Sequence, residues 1–282
     1  MPAPSNRRLH IVSLGSSFAA GPGIHPQIAP RAGRSGQNYP HILARLLDAH
    51  LTDLTVSGAT LLNIIVDPQQ HFLFRSVVFP PQITLLPSSA NIITITAGGN
   101  DLEYIGGMVQ DAWAAGALGK IVNFIVGVVR RVYLLVRRRP RPAEQALQPL
   151  TEEALITRLG RVLDAIHAKA PNARVFLVEY LAVLGANTQP GKDVPFSQDR
   201  IDYHRQTARK LQRAYVQAAE SRAGWCERVA IHDSSAEHGL GSQVPWVGGF
   251  GYWALLRRGS VFHPNLAGMQ AVAEVLVRKI DR

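Results

Sequence analysis

The chain has 282 residues, 46% of them hydrophobic and 18% charged, with a formal net charge of +10. This length suits one large domain or two small ones with a substantial core, and the balance excludes wholesale disorder. The single cysteine, Cys226, excludes an internal disulfide and a cysteine-rich zinc site.

Residues 1–8 are polar and carry no secretory signal pattern, which with the lone cysteine points to a cytoplasmic setting. Residues 10–14, HIVSL, read as a buried strand that runs into a turn at Gly15 with Ser16 and Ser17 at its end. A serine on such a strand-to-helix turn has its hydroxyl clear of the sheet. The backbone amides that follow are free to hold a developing oxyanion. Residues 22–37, rich in Gly and Pro, read as a surface loop. Residues 39–50 carry Ile42, Leu43, Leu46 and Leu47 at helical spacing. A short strand is expected over 54–57, ending at Gly58-Ala59-Thr60, and a mixture of helix and loop over 61–83, where Pro68, Pro80 and Pro81 interrupt. Residues 91–96, NIITIT, are a β-branched strand leading into Ala97-Gly98-Gly99-Asn100-Asp101.

An insertion is expected over 108–142 within one domain spanning 1–282. Its apolar runs 121–129 and 132–136 are split by Arg130-Arg131 and closed by Arg137-Arg138-Arg139, before Pro140 and Pro142. The stretch reads either as a core helix with solvated arginines or as a membrane-peripheral element, with 118–139 lying on an anionic lipid surface. No apolar run reaches the roughly 18 residues of a spanning helix. Basic stripes interleaved with exposed aromatics are missing, so no nucleic-acid partner is expected. Further on, 151–170 forms an amphipathic helix capped by Thr151, 173–178 a strand, 198–223 a helix and 228–231 a short strand. A last helix covers 265–280, with Pro264 at its start. Strands alternating with helices predict an α/β fold with a parallel sheet covered on both faces and ligands beyond the strands' carboxyl ends. Ser17, Gly58 and Asn100 each fall just past a strand end.

Four blocks stand in order: Gly15-Ser16-Ser17, Ser57-Gly58-Ala59-Thr60, Gly98-Gly99-Asn100-Asp101 and Val261-Phe262-His263-Pro264-Asn265. In this the chain resembles the SGNH hydrolases, the GDSL esterase and lipase family, over nearly its whole length. The resemblance implies a three-layer α/β/α fold with a doubly wound, flavodoxin-like, mostly parallel sheet. It implies a serine esterase or lipase with Ser17 as nucleophile and His263 as base. The oxyanion hole would be formed by the N–H groups of Ser17 and Gly58 and the side-chain amide of Asn100. No cofactor and no metal are implied, and histidines such as His25, His71, His167, His204, His232 and His238 lack metal-ligand spacing.

Two positions depart from the family pattern. Ser16 stands where the family usually has aspartate, and Ser260 stands three residues before His263, where the acid usually lies. The expected arrangement is therefore a Ser17–His263 dyad, its ring oriented by a backbone carbonyl near Ser260, by the Ser260 hydroxyl, or by a carboxylate from another loop such as Asp233. The substrate is expected to be a lipid-like ester, because the basic apolar insertion at 108–142 and the segment 247–256, VGGFGYWALL, offer apolar surface near the site. A carbohydrate O-deacetylase is the alternative enzyme. A catalytically impaired lipid- or partner-binding protein is the alternative without chemistry, and the missing acid supports it.

Overall fold

The computed structural model describes residues 8–70, 77–116, 150–251 and 261–281. Its central sheet has five strands: β1 His10–Gly15, β2 His50–Asp53, β3 Ile92–Thr96, β4 Arg174–Val178 and β5 Cys226–Val229. They lie in the order β2-β1-β3-β4-β5 and every pairing is parallel. Ile11, Val12 and Leu14 of β1 and Ile93 and Ile95 of β3 are wholly buried. Such apolar runs, interrupted only by the buried Ser13 and Thr94, whose hydroxyls pair at 2.9 Å, are what a sheet covered on both faces demands.

The helices among the described residues are α1 Ser17–Ala20, α2 Tyr39–Leu46, α3 Leu61–Ile65, α4 Tyr104–Ala115, α5 Glu152–Lys169, α6 Gln198–Glu220 and α7 Leu266–Ile280. The chain steps one way from β1 to β2 and the other way from β3 onward. Right-handed crossovers then place α2 and α7 on one face and α3 to α6 on the other. The packing agrees: α2 lies on α7 and α5 on α6, with α3 against α5 and α4 against α6. This is the flavodoxin-like winding, whose crevice opens between β1 and β3, where the strand order reverses.

Some expected boundaries move. The helix expected over 39–50 ends at Leu46, because Asp48 takes a left-handed conformation (φ 45°) and turns the chain into β2. The strand expected over 54–57 is accordingly four residues early, with His50 to Asp53 opposite His10 to Ser13. Past it, Asp53 Oδ1 accepts from the Thr55 amide (3.0 Å) and hydroxyl (2.6 Å), which ends the regular strand. Leu54 and Val56 still donate to the carbonyls of Ser13 and Gly15, so the chain keeps alongside β1 up to the second block. The strand expected over 228–231 is likewise two residues early, at Cys226–Val229.

Thr151 caps α5 as expected, accepting from the Ala154 amide at 3.2 Å. Asn265 caps α7 through the Gly268 amide at 3.0 Å, so Pro264 stands one residue ahead of the cap. Of the insertion expected over 108–142, residues 108–115 belong to α4, where Met108 and Ala112 are fully buried in the core. The proposed membrane contact at 118–139 lies outside the described residues. No described helix is long and apolar enough to cross a membrane.

Candidate active site

The site begins where β1 ends. Gly15 has φ +139°, and a Cβ there would run into the Thr96 carbonyl of β3, so only glycine lets the two strand ends come this close. The Gln82 side chain grips the same residue from both sides. Its Oε1 accepts from the Gly15 amide at 2.8 Å and its Nε2 donates to the Gly15 carbonyl at 2.9 Å. Ser16 is completely buried; its amide donates to the Thr96 carbonyl at 2.9 Å and its Oγ lies 3.0 Å from the Tyr180 hydroxyl. That hydroxyl also accepts from the Gly99 amide at 3.1 Å, joining the first block to the third. Burial pushes the Tyr180 pKa up to about 12, so the phenol stays neutral.

Ser17 is the first residue of α1 and only 6% exposed. Its Oγ lies 2.8 Å from His263 Nε2, so the chain's first and last blocks meet. The other ring nitrogen, Nδ1, lies 2.7 Å from the Val261 carbonyl. A carbonyl only accepts, so Nδ1 carries the proton, and the neutral ring presents the Nε2 lone pair to the Ser17 hydroxyl. Burial pushes the His263 pKa below the ordinary histidine value, and the Val261 carbonyl partly opposes this.

The carbonyl reaches back because Phe262, between the two, sits at φ +59°, a left-handed turn that costs a non-glycine residue roughly 1–2 kcal/mol. Burial offsets that cost. Phe262 is wholly enclosed, its ring packing on Phe196 and Phe250 with centroids 6.3 and 6.2 Å away. The backbone on either side is pinned. Phe262 donates to the Gly248 carbonyl and Gly248 to the His263 carbonyl, both at 2.8 Å. Asn265 donates through its amide to Trp246 (2.9 Å) and through Nδ2 to Pro245 (2.7 Å). The described start of the segment 247–256, expected to offer apolar surface near the site, is therefore a brace for the histidine loop, with Val247 only 2% exposed.

Asp233 does not orient the ring. Its carboxylate accepts from Gln212 Nε2 at 3.0 Å, and the place at Nδ1 is taken by the Val261 main chain. Ser260 lies outside the described residues.

The three expected oxyanion donors stand at neighbouring strand ends. Among the described residues nothing accepts from the Ser17 or Gly58 amides. Gly58 has φ +83°, a conformation that suits glycine and leaves its amide in an exposed turn. Asn100 Nδ2 donates one hydrogen to the Ala59 carbonyl at 2.8 Å, which fixes the carboxamide and leaves its second hydrogen available. Asp101 secures the same corner: Oδ2 accepts from the Leu61 amide at 2.9 Å and Oδ1 pairs with Arg158 at 3.0 Å. Burial raises the Asp101 pKa against the pull of those two partners. Among the described residues no group of His, Cys, Asp and Glu side chains is arranged to hold a metal ion.

The model of the GDSL-like lipase/acylhydrolase family matches residues 13–271, from the middle of β1 into α7. The chain belongs to this family.

It is thus a GDSL-family acylhydrolase, a carboxylic-ester hydrolase. Lipase 2 of Streptomyces coelicolor is 27% identical over 227 residues, which cover 78% of this acylhydrolase and 69% of that lipase. The extracellular lipase of Streptomyces rimosus superposes with a TM-score of 0.66 at 21% identity, covering 96% of this chain and 99% of that one. Phospholipase A1 of Streptomyces albidoflavus NA297 gives 0.68 at 19% identity, covering 98% and 100%. Both share the acylhydrolase fold.

Sequence reasoning missed Gln82 and Tyr180, and of the backbone carbonyls near Ser260 that it offered it did not single out that of Val261. A main-chain carbonyl has no residue signature, and the lack of an acid ahead of His263 is what points to one. The two side chains come from other segments and are brought in by the fold.

Proposed function

We propose that this acylhydrolase cleaves lipid-like carboxylic esters through an acyl-enzyme on Ser17, with His263 as the base and the Val261 carbonyl in place of the third triad member. The observation that carries the proposal is the chain of short contacts from Ser17 Oγ to His263 Nε2 (2.8 Å) and from His263 Nδ1 to the Val261 carbonyl (2.7 Å). The Ser17 proton passes to Nε2 as Oγ attacks the ester carbonyl carbon. The resulting oxyanion accepts from the amides of Ser17 and Gly58 and from Asn100 Nδ2, neutral donors already in place. Collapse breaks the ester C–O bond while Nε2 returns the proton to the leaving alcohol. Water then attacks the acyl-serine with His263 again taking a proton, releasing the acid and restoring Ser17.

The Val261 carbonyl does part of an aspartate's work. It fixes the tautomer and the ring's orientation, but it brings only a partial negative charge to the imidazolium that forms in the transition state. It also supplies the acceptor whose lack had favoured a non-catalytic reading. Support for lipid-like substrates comes from the kinship with lipases and a phospholipase A1.

The test is labelling with a fluorophosphonate probe, followed by hydrolysis of p-nitrophenyl esters of increasing acyl length and of acetylated xylan. Labelling of the intact protein, its loss in Ser17→Ala, and a preference for long acyl chains are expected. An intact protein that resists the probe refutes the acyl-enzyme, and a preference for acetylated xylan over all the long-chain esters refutes the lipid-like substrate.

A further inference from the structure

We infer that Gln69 is a positioning residue for the oxyanion hole, acting through the peptide unit whose N–H belongs to Gly58. The inference rests on the assignment of that N–H to the hole. The Ser57 carbonyl and the Gly58 amide are the two ends of one peptide plane. Gln69 Nε2 donates to that carbonyl at 2.8 Å across a separation of twelve residues. The bond fixes the plane's rotation and hence the direction of the Gly58 N–H. It also draws electron density toward the carbonyl oxygen and so makes the amide at the other end a stronger donor.

The plane needs such a hold. Gly58 lies in an exposed turn at φ +83°, outside any helix or strand that would fix it. The Ser57 amide is held by the Ala32 carbonyl at 2.8 Å, and the Ala59 amide by Val56 at 3.1 Å. Gln69 completes the grip by taking the carbonyl between them. It approaches so closely that a Cβ on Gly58 would lie 3.4 Å from its Nε2.

The two backbone donors of the hole are thus built alike but from different material. The plane bearing the Ser17 N–H has its carbonyl, that of Ser16, held by the Ala19 and Ala20 amides at 3.0 and 2.9 Å, both from the turn of α1. Among the described residues, the plane bearing the Gly58 N–H has a single side chain in that role. Among the described residues Gln69 is also held from one end only: its Oε1 is buried without a hydrogen-bond partner. An apolar replacement therefore orphans no donor and frees only the Ser57 carbonyl, in a half-buried turn, so it is expected to be tolerated by the fold.

The test compares Gln69→Met, which keeps the length without a donor, with Gln69→Glu, which is isosteric and at neutral pH offers only acceptors to the Ser57 carbonyl. Deleting a whole oxyanion donor costs about 10²–10³-fold in kcat, so misaligning one should cost on the order of 10-fold in Gln69→Met and more in Gln69→Glu. KM and the midpoint of the acid limb should stay where they are, because the bond is remote from His263. Affinity for a trifluoromethyl ketone, which forms a tetrahedral oxyanion adduct, should fall by the same factor as kcat/KM. Affinity for the product alcohol should not change.

Wild-type kcat in both variants overturns the inference, as does an equal loss of affinity for the ketone and the alcohol. So do two variants that melt below the assay temperature, since Gln69 would then serve the fold. These outcomes are separable from failure of the acyl-enzyme itself, which appears as an intact wild-type protein that the fluorophosphonate does not label.

Discussion

The two ends of the chain meet at the site and are built in opposite ways. The serine end rests on the sheet: β1 stops at Gly15, Thr96 of β3 holds the Ser16 amide, and Gln82 and Tyr180 lock the turn from outside. The histidine end rests on loops. His263 precedes the cap of α7, and its backbone is held by the 245–248 segment and by a left-handed turn at Phe262. The proposed nucleophile, on a strand end, is positioned by sheet geometry. The proposed base, on a loop, has to be braced bond by bond, and the brace includes the carbonyl at its Nδ1.

If the two ends form one catalytic unit, Ser17→Ala, His263→Ala and the double variant should each lower kcat by about the same factor, roughly 10⁴-fold or more. Additive losses, read from single-turnover ester hydrolysis, would break the unit. Asn100→Ala comes next, with kcat down about 10²–10³-fold and KM nearly unchanged. A rise in KM alone would make Asn100 a ground-state contact.

The smaller effects separate the two ends. Tyr180→Phe strips the buried Gly99 amide of its acceptor and Ser16 Oγ of a partner, so urea unfolding should register a loss of about 1–3 kcal/mol. Asn265→Ala removes the α7 cap and the bond to Pro245, and about 1 kcal/mol of stability should go with them. Equal or reversed losses would mean that the serine end is no more firmly built than the histidine end.

The same contrast governs what could be read from the residues. Runs such as NIITIT, the Thr151 cap and the four ordered blocks carry local chemistry, and from them the parallel sheet and the family follow. The second strand was misplaced by four residues because its end depends on Asp53 catching Thr55 and on the turn at Asp48, neither of which shows in an apolar pattern. The candidates for orienting His263 are a backbone carbonyl near Ser260, the Ser260 hydroxyl and Asp233; the carbonyl of Val261, one residue on, lies at Nδ1, and since any residue type supplies a carbonyl the sequence could not single out which. Gln82 and Tyr180 reach the serine turn across 67 and 164 residues, a proximity set by the winding of the sheet.

The central claim is that a neutral His263, held by a backbone carbonyl, serves Ser17. Nitrogen NMR of ¹⁵N-histidine-labelled protein across pH 4–9 tests it directly, with His263→Gln for assignment. Burial disfavours the imidazolium, so the ring should titrate below its ordinary value of 6.5 and be neutral above it, with the proton on Nδ1. Because the base acts deprotonated, the acid limb of kcat/KM should follow the same midpoint. A ring that titrates above 7, or a neutral ring protonated at Nε2, would contradict the account and require a carboxylate partner or a different base.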